Sequence, residues 1–508
     1  MTGQLRRTGA AARVDVAIVG AGPAGLAAAA SALAVGATVC VIDSSAQPGG
    51  QYWRHASEAA GVDDDGALHH DWRTYRSLRA EFDAGIAAGQ LTAHFGTSVW
   101  SARRDAEGVA LALTPAFGTR GEAARADGSD PTPTQLRATR LVLATGGYDR
   151  QLPVPGWDLP GVMAAGGIQA FLKQNRMLPG SRFVIAGTGP FLLPVAAGIA
   201  QWGGEVAAVC EATDLTGWLP RAHRALGVPA KGVEGAEYIA AFVKHRIPYR
   251  VRTVITEILG RDRVEAVRTA RVDRAGREIA GSARVIEGVD AVGLGWGFTP
   301  QLELPVQLGV DTRVDADGSL IAVVDQAQRS SVSGVLLAGE LTGVGGAALA
   351  VLEGRIAGRV AAAEARGERV LAARGAELRA VRRQRGFAEA MHLAHPVPAG
   401  WAERVTDDTL VCRCEEVPAG ALRRARGELA SDDARSQKGV TRTGMGWCQG
   451  RVCGFAVSCL AGGDDLAGGV VSAASGASAA SLAQNAKRPI AQPLPLGEIA
   501  DLADAETH

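Results

Sequence analysis

The chain has 508 residues, 47% of them hydrophobic, with 66 glycines. That is length for about three domains and a composition suited to a turn-rich α/β protein rather than a disordered or fibrous one. Lys plus Arg and Asp plus Glu both number 53, so no net field favours nucleic acid or an anionic membrane.

The N-terminal stretch 1–15, MTGQLRRTGAAARVD, carries arginines but no apolar core before the first strand, which argues against a signal peptide. Residues 26–42 and 184–204 are apolar but broken by glycine turns, so neither reads as a membrane span. A soluble cytoplasmic protein is the expectation.

Residues 15–43, DVAIVGAGPAGLAAAASALAVGATVCVID, read as strand, glycine turn, helix, strand and acid. In that context Gly-x-Gly-x-x-Gly signals a bound dinucleotide. Gly20 permits the tight turn, Gly22 lets backbone approach a pyrophosphate, and Gly25 lets the helix lie close to the sheet. The helix N-terminus offers free N–H groups to the phosphates. Asp43 stands where a carboxylate can accept ribose hydroxyls.

Pro48-Gly49-Gly50-Gln51 follows. An ordinary turn would explain it, but its position just after the acid favours close passage of backbone beside a bulky ligand. The pair His69-His70 lies in a charged stretch and reads as solvated surface. A helix is expected over 71–90 and a strand pair over 91–100. Strands at 109–113 and 136–143 should flank a mobile hairpin loop, 115–135. Thr145-Gly146-Gly147 then opens into small residues and prolines, which reads as a crossing between domains.

A second unit of the same kind follows, with Gly187-Thr188-Gly189-Pro190 after a strand, then a helix, another strand and Glu211. Leu192 replaces the third glycine, so helix and strand should approach less closely. The pattern fits either an occupied nucleotide site or an inherited fold with an empty or altered pocket. Strands over 251–286 should close this domain. From Asp290 the chain is expected to return to the first domain and reach Gly339-Glu340, ahead of a glycine-rich helix start. There one carboxylate and free N–H groups can face a sugar-phosphate chain. A helix is expected over 349–391, broken at Gly375. Its arginines, Arg366, Arg369, Arg374, Arg379, Arg382, Arg383 and Arg385, read as a solvated face.

Seven cysteines are an odd count, and Cys412, Cys414, Cys448 and Cys453 fall in two close pairs. That argues for a metal site over a disulfide framework. Four thiolates suit a [2Fe–2S] cluster or tetrahedral zinc, and the Cys-x-Cys spacing favours the cluster. Glycines beside Cys448 and Cys453 expose N–H groups to cluster sulfurs. Cys40, Cys210 and Cys459 read as core thiols. The sequence contains no Cys-x-x-Cys, which excludes the redox dithiol of a disulfide reductase. Residues 468–481 read as a Gly/Ala/Ser linker, and 488–497 as a segment folded back on the body.

Taken together, residues 14–365 resemble flavoproteins with two dinucleotide-binding domains, in which a second Rossmann-like domain splits the FAD domain. Residues 408–462 resemble the bacterioferritin-associated-ferredoxin-like (BFD-like) [2Fe–2S] domain. With Pro48-Gly49-Gly50-Gln51 and the 155–162 stretch PGWDLPGV as connecting signatures, the chain is similar to the α (A) subunits of octopine/nopaline oxidases and proline/hydroxyproline dehydrogenases. It also resembles the FAD subunit of hydrogen cyanide synthase and part of the sarcosine oxidase α subunit.

The resemblance implies an α/β fold divided as FAD domain 14–155, inserted domain 156–289, FAD domain 290–365, helical linker 366–407, BFD-like domain 408–465 and tail 466–508. It implies FAD pyrophosphate at Gly20, Gly22, Pro23, Ala24 and Gly25, ribose at Asp43, and flavin-side contacts at Gly50, Gln51, Thr145, Gly146, Gly339 and Glu340. Many relatives carry Asp at the Glu340 position. Gly187, Gly189 and Pro190 would hold an adenine nucleotide or NAD(P), and the four paired cysteines the cluster.

The implied function is electron transfer within a heteromeric dehydrogenase or oxidase of an amino acid, imino acid or opine. Its implied companions are a catalytic FAD-containing β subunit resembling amino-acid oxidases, a small γ subunit, an FMN at a subunit interface, and an acceptor protein or quinone. No nucleic acid and no transmembrane segment are expected. The alternatives are a self-sufficient NAD(P)H-dependent flavin/iron–sulfur reductase, or a cluster-carrying protein that uses the last domain alone.

Overall fold

The computed structural model describes residues 13–61, 66, 68–116, 134–368, 375–462, 479–488 and 490–494. Most of the 115–135 loop, Arg369, Arg374 and the 468–478 linker fall outside the described residues.

Strand Arg13–Val19 is fully buried from Val16 onward, and such a strand needs neighbours on both edges. It lies parallel to Val39–Ile42, with Val16 opposite Val39, and to Gln135–Leu143, with Val16 opposite Arg140. Leu91–His94 extends one edge of this sheet. On the other, the hairpin of Thr97–Asp105 and Gly108–Pro115 pairs with the first half of Gln135–Leu143, and Val335–Leu337 runs parallel to its second half.

Helix Pro23–Ala34 covers this sheet with little but alanine and glycine. Helix Ala347–Ala365 crosses it very closely: a Cβ on Gly354 would stand 2.1 Å from the Ala24 carbonyl oxygen, and one on Gly358 2.0 Å from that of Ala28. Small residues therefore set the crossing, and it brings the start of the second helix beside the fingerprint turn.

The second sheet is wholly parallel, in the order Tyr249–Val251, Glu205–Glu211, Arg182–Gly187, Ala291–Gly295 and Val162–Ala164. This corrects the expected return at Asp290. Ala291–Gly295 is a buried run that belongs between Arg182–Gly187 and Val162–Ala164, so the chain leaves this domain after Gly295. Its apolar pattern would serve either sheet, and only strand pairing decides. In the stretch expected to be strand-rich, Thr253–Leu259, Ala266–Arg271 and Arg284–Glu287 form an antiparallel layer. Outgoing Gly147–Asp149 and returning Phe298–Pro300 pair as a two-stranded ribbon at the crossing between the domains.

Helix Gly375–Ala394 is not a free linker. Arg359 binds Glu377 at 2.8 Å, Arg385 reaches Glu353, and Arg224 of the inserted domain meets Glu389. The histidine pair is not simply solvated either. His69 stacks on Trp72, and His70 bonds the Tyr238 hydroxyl at 2.7 Å, tying the first domain to the inserted one.

The last region consists of the short pair Leu410–Cys412 and Val417–Pro418, with helices Ala419–Leu429, Ala434–Thr441 and Gly454–Ala461. Helix Ala479–Ala486 packs on it and also reaches the second part of the first domain. The region docks on the interdomain crossing, where Trp157 Nε1 donates to the Leu410 carbonyl at 2.6 Å and Arg413 lies over the Trp157 ring.

Candidate functional site

The first fingerprint has the geometry its glycines require. Gly20 takes φ +106°, and a Cβ there would lie 2.3 Å from the Ala144 oxygen. A Cβ on Gly25 would stand 1.7 Å from the Gly20 oxygen. No side chain caps helix Pro23–Ala34, and Pro23 at its first turn gives up an N–H that would be orphaned anyway. The remaining N–H groups at that end are free for an anion. Gly50, at φ +60°, lies against Gly22, where a Cβ would come within 2.7 Å of the Gly22 Cα. The two glycine turns therefore form one lip.

Asp43 accepts from Ala21 N at 2.6 Å and Ser45 N at 2.7 Å, so its carboxylate organises the turn. Each oxygen has lone-pair capacity left for a ribose hydroxyl. Burial pushes its pKa up, and those two N–H groups offset part of the rise. Gln51 is exposed and accepts from Arg54.

Two flavin-side residues are engaged differently from the expectation. Thr145 donates to the Gln301 carbonyl at 3.1 Å, and Gln301 N donates to Gly146 O, so this loop clasps the returning segment. Glu340 accepts from Gly345 N at 3.1 Å and Gly346 N at 3.0 Å, bonds that bend it onto its own loop. The additional methylene of Glu over Asp gives it that reach.

The sequence reading missed Glu353, which is 1% exposed. It accepts from Gly339 N at 3.0 Å, from Thr342 Oγ1 at 3.0 Å and from Arg385 Nε at 3.0 Å. A buried carboxylate on an otherwise Ala/Gly helix face was the available signal. Arg382, Arg383 and Arg385 also line a cavity of about 1000 Å³ with His223, Thr342 and His392, and none of the fingerprint glycines borders it.

In the second unit Gly187, at φ +149°, touches Gly295, and Gly189 takes φ +93°. The helix starts only at Leu192, which is fully buried. Glu211 accepts from Gly189 N at 2.9 Å, from Thr188 Oγ1 at 3.1 Å, and from Thr213 N at 3.0 Å and Oγ1 at 2.8 Å. His395, delivered just past the arginine-bearing helix, stands over this group. Trp218 Nε1 donates to His395 Nε2 at 2.9 Å, which leaves Nδ1 to donate to Thr213 Oγ1 at 3.0 Å. Burial works against charge on Glu211, but the imidazole of His395, whose Nδ1 stands 3.7 Å away, and the bonds from Thr213 outweigh it and hold the pKa below its ordinary 4.5.

Three of the four cysteine sulfurs form a chain, Cys412 to Cys414 at 3.8 Å and Cys414 to Cys448 at 3.7 Å. Tetrahedral coordination at about 2.3 Å separates thiolate sulfurs by about 3.8 Å. Cys412 and Cys453 are buried, Cys448 is half-buried and Cys414 exposed. Gly444 N donates to Cys412 Sγ at 3.4 Å, and a Cβ on Gly446 would stand 2.3 Å from Cys414 Sγ. The Cys453 thiol and the N–H groups of Gly444 and Glu415 pull the Cys412 thiol below the ordinary thiol range despite burial. Among the described residues no group of three or more His, Cys, Asp or Glu side chains is placed to hold a metal ion. The donor set still suits a sulfur-ligated centre. Cys40, Cys210 and Cys459 are buried, as core thiols should be, and burial pushes each up to about 12.

Two nucleotide-type units, one inserted into the other and joined by a ribbon, define an oxidoreductase of the two-domain flavoprotein class. The chain belongs to the pyridine nucleotide-disulphide oxidoreductase family, FAD-dependent oxidoreductases whose family model matches residues 14–367. It is 33% identical to the A subunit of the opine oxidase of Rhizobium meliloti (strain 1021), over 96% of this chain and 99% of that one. To the hydrogen cyanide synthase subunit HcnB of Pseudomonas aeruginosa it is 31% identical, over 86% of this chain and 90% of the other. The crystal structure of L-proline dehydrogenase from P. horikoshii superposes with a TM-score of 0.66 at 18% identity, over 97% of this chain and 80% of that one, a likeness of fold. No helix among the described residues is long and apolar enough to cross a membrane.

Proposed function

We propose that this chain is the FAD- and [2Fe–2S]-containing electron-transfer subunit of a heteromeric cytoplasmic enzyme that oxidises the C–N bond of an amino acid, imino acid or opine. The observation that carries the reading is where the four-cysteine region docks. Arg451, between Cys448 and Cys453, bonds Tyr148 Oη at 2.7 Å and Glu303 at 3.0 Å, just beyond the Thr145-Gly146 loop. The relatives named as subunits of opine oxidase and hydrogen cyanide synthase support the heteromeric part.

Both groups suit the residues present. Gly20, Gly22, Pro23, Ala24 and Gly25 would hold the FAD pyrophosphate at an uncapped helix end, and Asp43 the ribose. Gly50, Gln51, Thr145, Gly146 and Gly339 would border the flavin side, with Glu340 shaping the loop rather than reaching the ribityl chain. Cys412, Cys414, Cys448 and Cys453 would ligate the cluster in the BFD-like region. FAD, when bound, can accept electrons in a pair and release them singly, and the cluster is a one-electron carrier. The chain's own part is to hold the two centres on either side of the Tyr148–Arg451 junction and to limit access of water there. Tyr148 is half-buried and the Arg451 side chain is 10% exposed, which suits that task.

Substrate oxidation is assigned to a catalytic FAD-containing β subunit, with interfacial FMN plus a γ subunit for further parts and a protein or quinone as acceptor. The exposed apolar face of helix Pro229–Lys244, with Val233, Ile239 and Val243, is surface such a partner would cover. Gly187, Gly189 and Pro190 would meet at most an adenine nucleotide, because Glu211 and His395 already engage that turn.

Purification with a co-expressed amino-acid-oxidase-like partner, followed by flavin, iron and sulfide analysis, tests the reading. Cys448→Ser is expected to lose the visible cluster absorbance and keep FAD. Rapid anaerobic bleaching of the flavin by NADH or NADPH alone would instead establish the self-sufficient reductase.

A further inference from the structure

The C-terminal segment delivers a buried charge to the cysteine loop. Arg488 is 9% exposed, and among the described residues its Nε and Nη1 find no hydrogen-bond partner, while Nη2 reaches the Asn485 carbonyl at 3.3 Å. A buried guanidinium without a counter-charge is costly. Its neighbours show where it lies. The Asn485 side chain covers Gly454, where a Cβ would fall 2.0 Å from Asn485 Nδ2. Arg488 Nη2 lies 3.7 Å from where a Gly450 Cβ would be. Arg488 therefore sits on the loop between Cys448 and Cys453.

The nearby acid is already committed. Glu303, 7% exposed, pairs with Arg451 at 3.0 Å, and Arg451 also donates to the Cys448 carbonyl at 3.3 Å and to the Ala491 carbonyl. Arg150, stacked 4.2 Å over Phe455, is neutralised by Asp317. Lys438 adds a third cation within electrostatic reach of Arg488 and Cys453, so among the described residues three cations face one acid beside the cysteines and the balance is positive. Four thiolates would supply the missing negative charge.

We propose that Arg488 is the counter-charge of the four-cysteine centre and holds the reduction potential of its cluster up. This rests on the cluster reading above. Reduction adds one electron to a centre that is already negative, and a fixed buried cation stabilises the product more than the reactant. Arginine stays protonated throughout, so its effect requires no proton uptake. Arg488 is in this sense a positioning residue, acting through charge rather than ligation, and Glu303 opposes it.

The test is a mediated anaerobic dithionite titration of the full chain, followed by visible absorbance and electron paramagnetic resonance, with iron and sulfide assayed in each sample. Arg488→Gln is expected to raise the oxidised-to-reduced ratio at fixed ambient potential about tenfold, about 59 mV downward for a one-electron couple. Arg488→Lys keeps the charge and should stay close to the parent protein. Glu303→Gln removes the opposing acid and should shift the ratio the other way. An unchanged ratio in Arg488→Gln with full iron and sulfide overturns the proposal, as does equal behaviour of the Gln and Lys variants. If Arg488→Gln cannot hold a cluster, Glu303→Gln decides, and a ratio that stays or rises there overturns it. Absence of iron and sulfide from the parent protein overturns the cluster reading itself, a result distinct from any of these.

Discussion

The two nucleotide-type units begin with the same Gly-x-Gly-Pro and end differently. In the first, the helix starts at Pro23, directly after the second glycine, and its N–H groups remain free. In the second, the helix starts two positions later, at Leu192, and the corresponding turn is taken up by the chain itself. The acids that close the two units differ in the same way. Asp43 is bound by two backbone N–H groups, whereas Glu211 receives four bonds, with His395 and Trp218 behind them. One motif, repeated, keeps an uncapped helix start in one domain and has its turn engaged by the chain's own side chains in the other. Motif and site are therefore separate properties.

The largest break in this comparison should come from Gly25→Ala. Its Cβ would overlap the Gly20 carbonyl, so the turn must open, at a cost of about 3 kcal/mol or more. Flavin stoichiometry and thermal melting should both fall sharply. Leu192→Gly, the matching change in the second unit, should leave flavin content intact. Removing the buried Glu211 carboxylate comes next. Glu211→Ala strands four donors and should destabilise the inserted domain by roughly 3 kcal/mol, read by denaturant unfolding.

Acid should sharpen the contrast. The Glu211 pKa is lowered on folding, so its contribution is full above its unfolded value and fades as pH falls toward the folded one. The Asp43 pKa is raised, so its contribution has the opposite sign. Below about pH 4.5, hydrogen exchange in the inserted domain should accelerate, and Glu211→Gln should remove that dependence. The smallest effect should come from Arg383→Ala. This exposed side chain on the cavity rim should change stability by no more than about 0.5 kcal/mol and leave flavin content unchanged.

Much was legible wherever the signal is local. The turn at Gly20–Gly25, helix Trp72–Ala87 and the strands through Leu143 followed from periodicity and breaker residues, because hydrogen bonding there depends on near neighbours. Core burial of Cys40, Cys210 and Cys459 followed from apolar context. The place of Ala291–Gly295 did not, since a short apolar run fits any vacant sheet edge. Glu353 was hidden because one carboxylate on an alanine-rich helix looks like a solvated residue until Gly339, Thr342 and Arg385 converge on it.

The arginine-bearing helix shows the same limit. Charge runs in sequence signal solvent exposure, and Arg382 and Arg383 are exposed. Arg385, one turn along, is drawn in by a buried acid 32 positions earlier.

By itself the sequence determined the repeated strand–turn–helix units, the open first fingerprint and the pairing of the cysteines, all of them encoded within a few dozen residues. Only the tertiary structure decided that Glu340 bonds its own loop, that His395 engages the second fingerprint, and that Arg488 lies buried beside the cysteines. Each of those outcomes depends on charges and donors brought together from distant parts of the chain, and a buried polar group finds its partner only when the whole chain has folded around it.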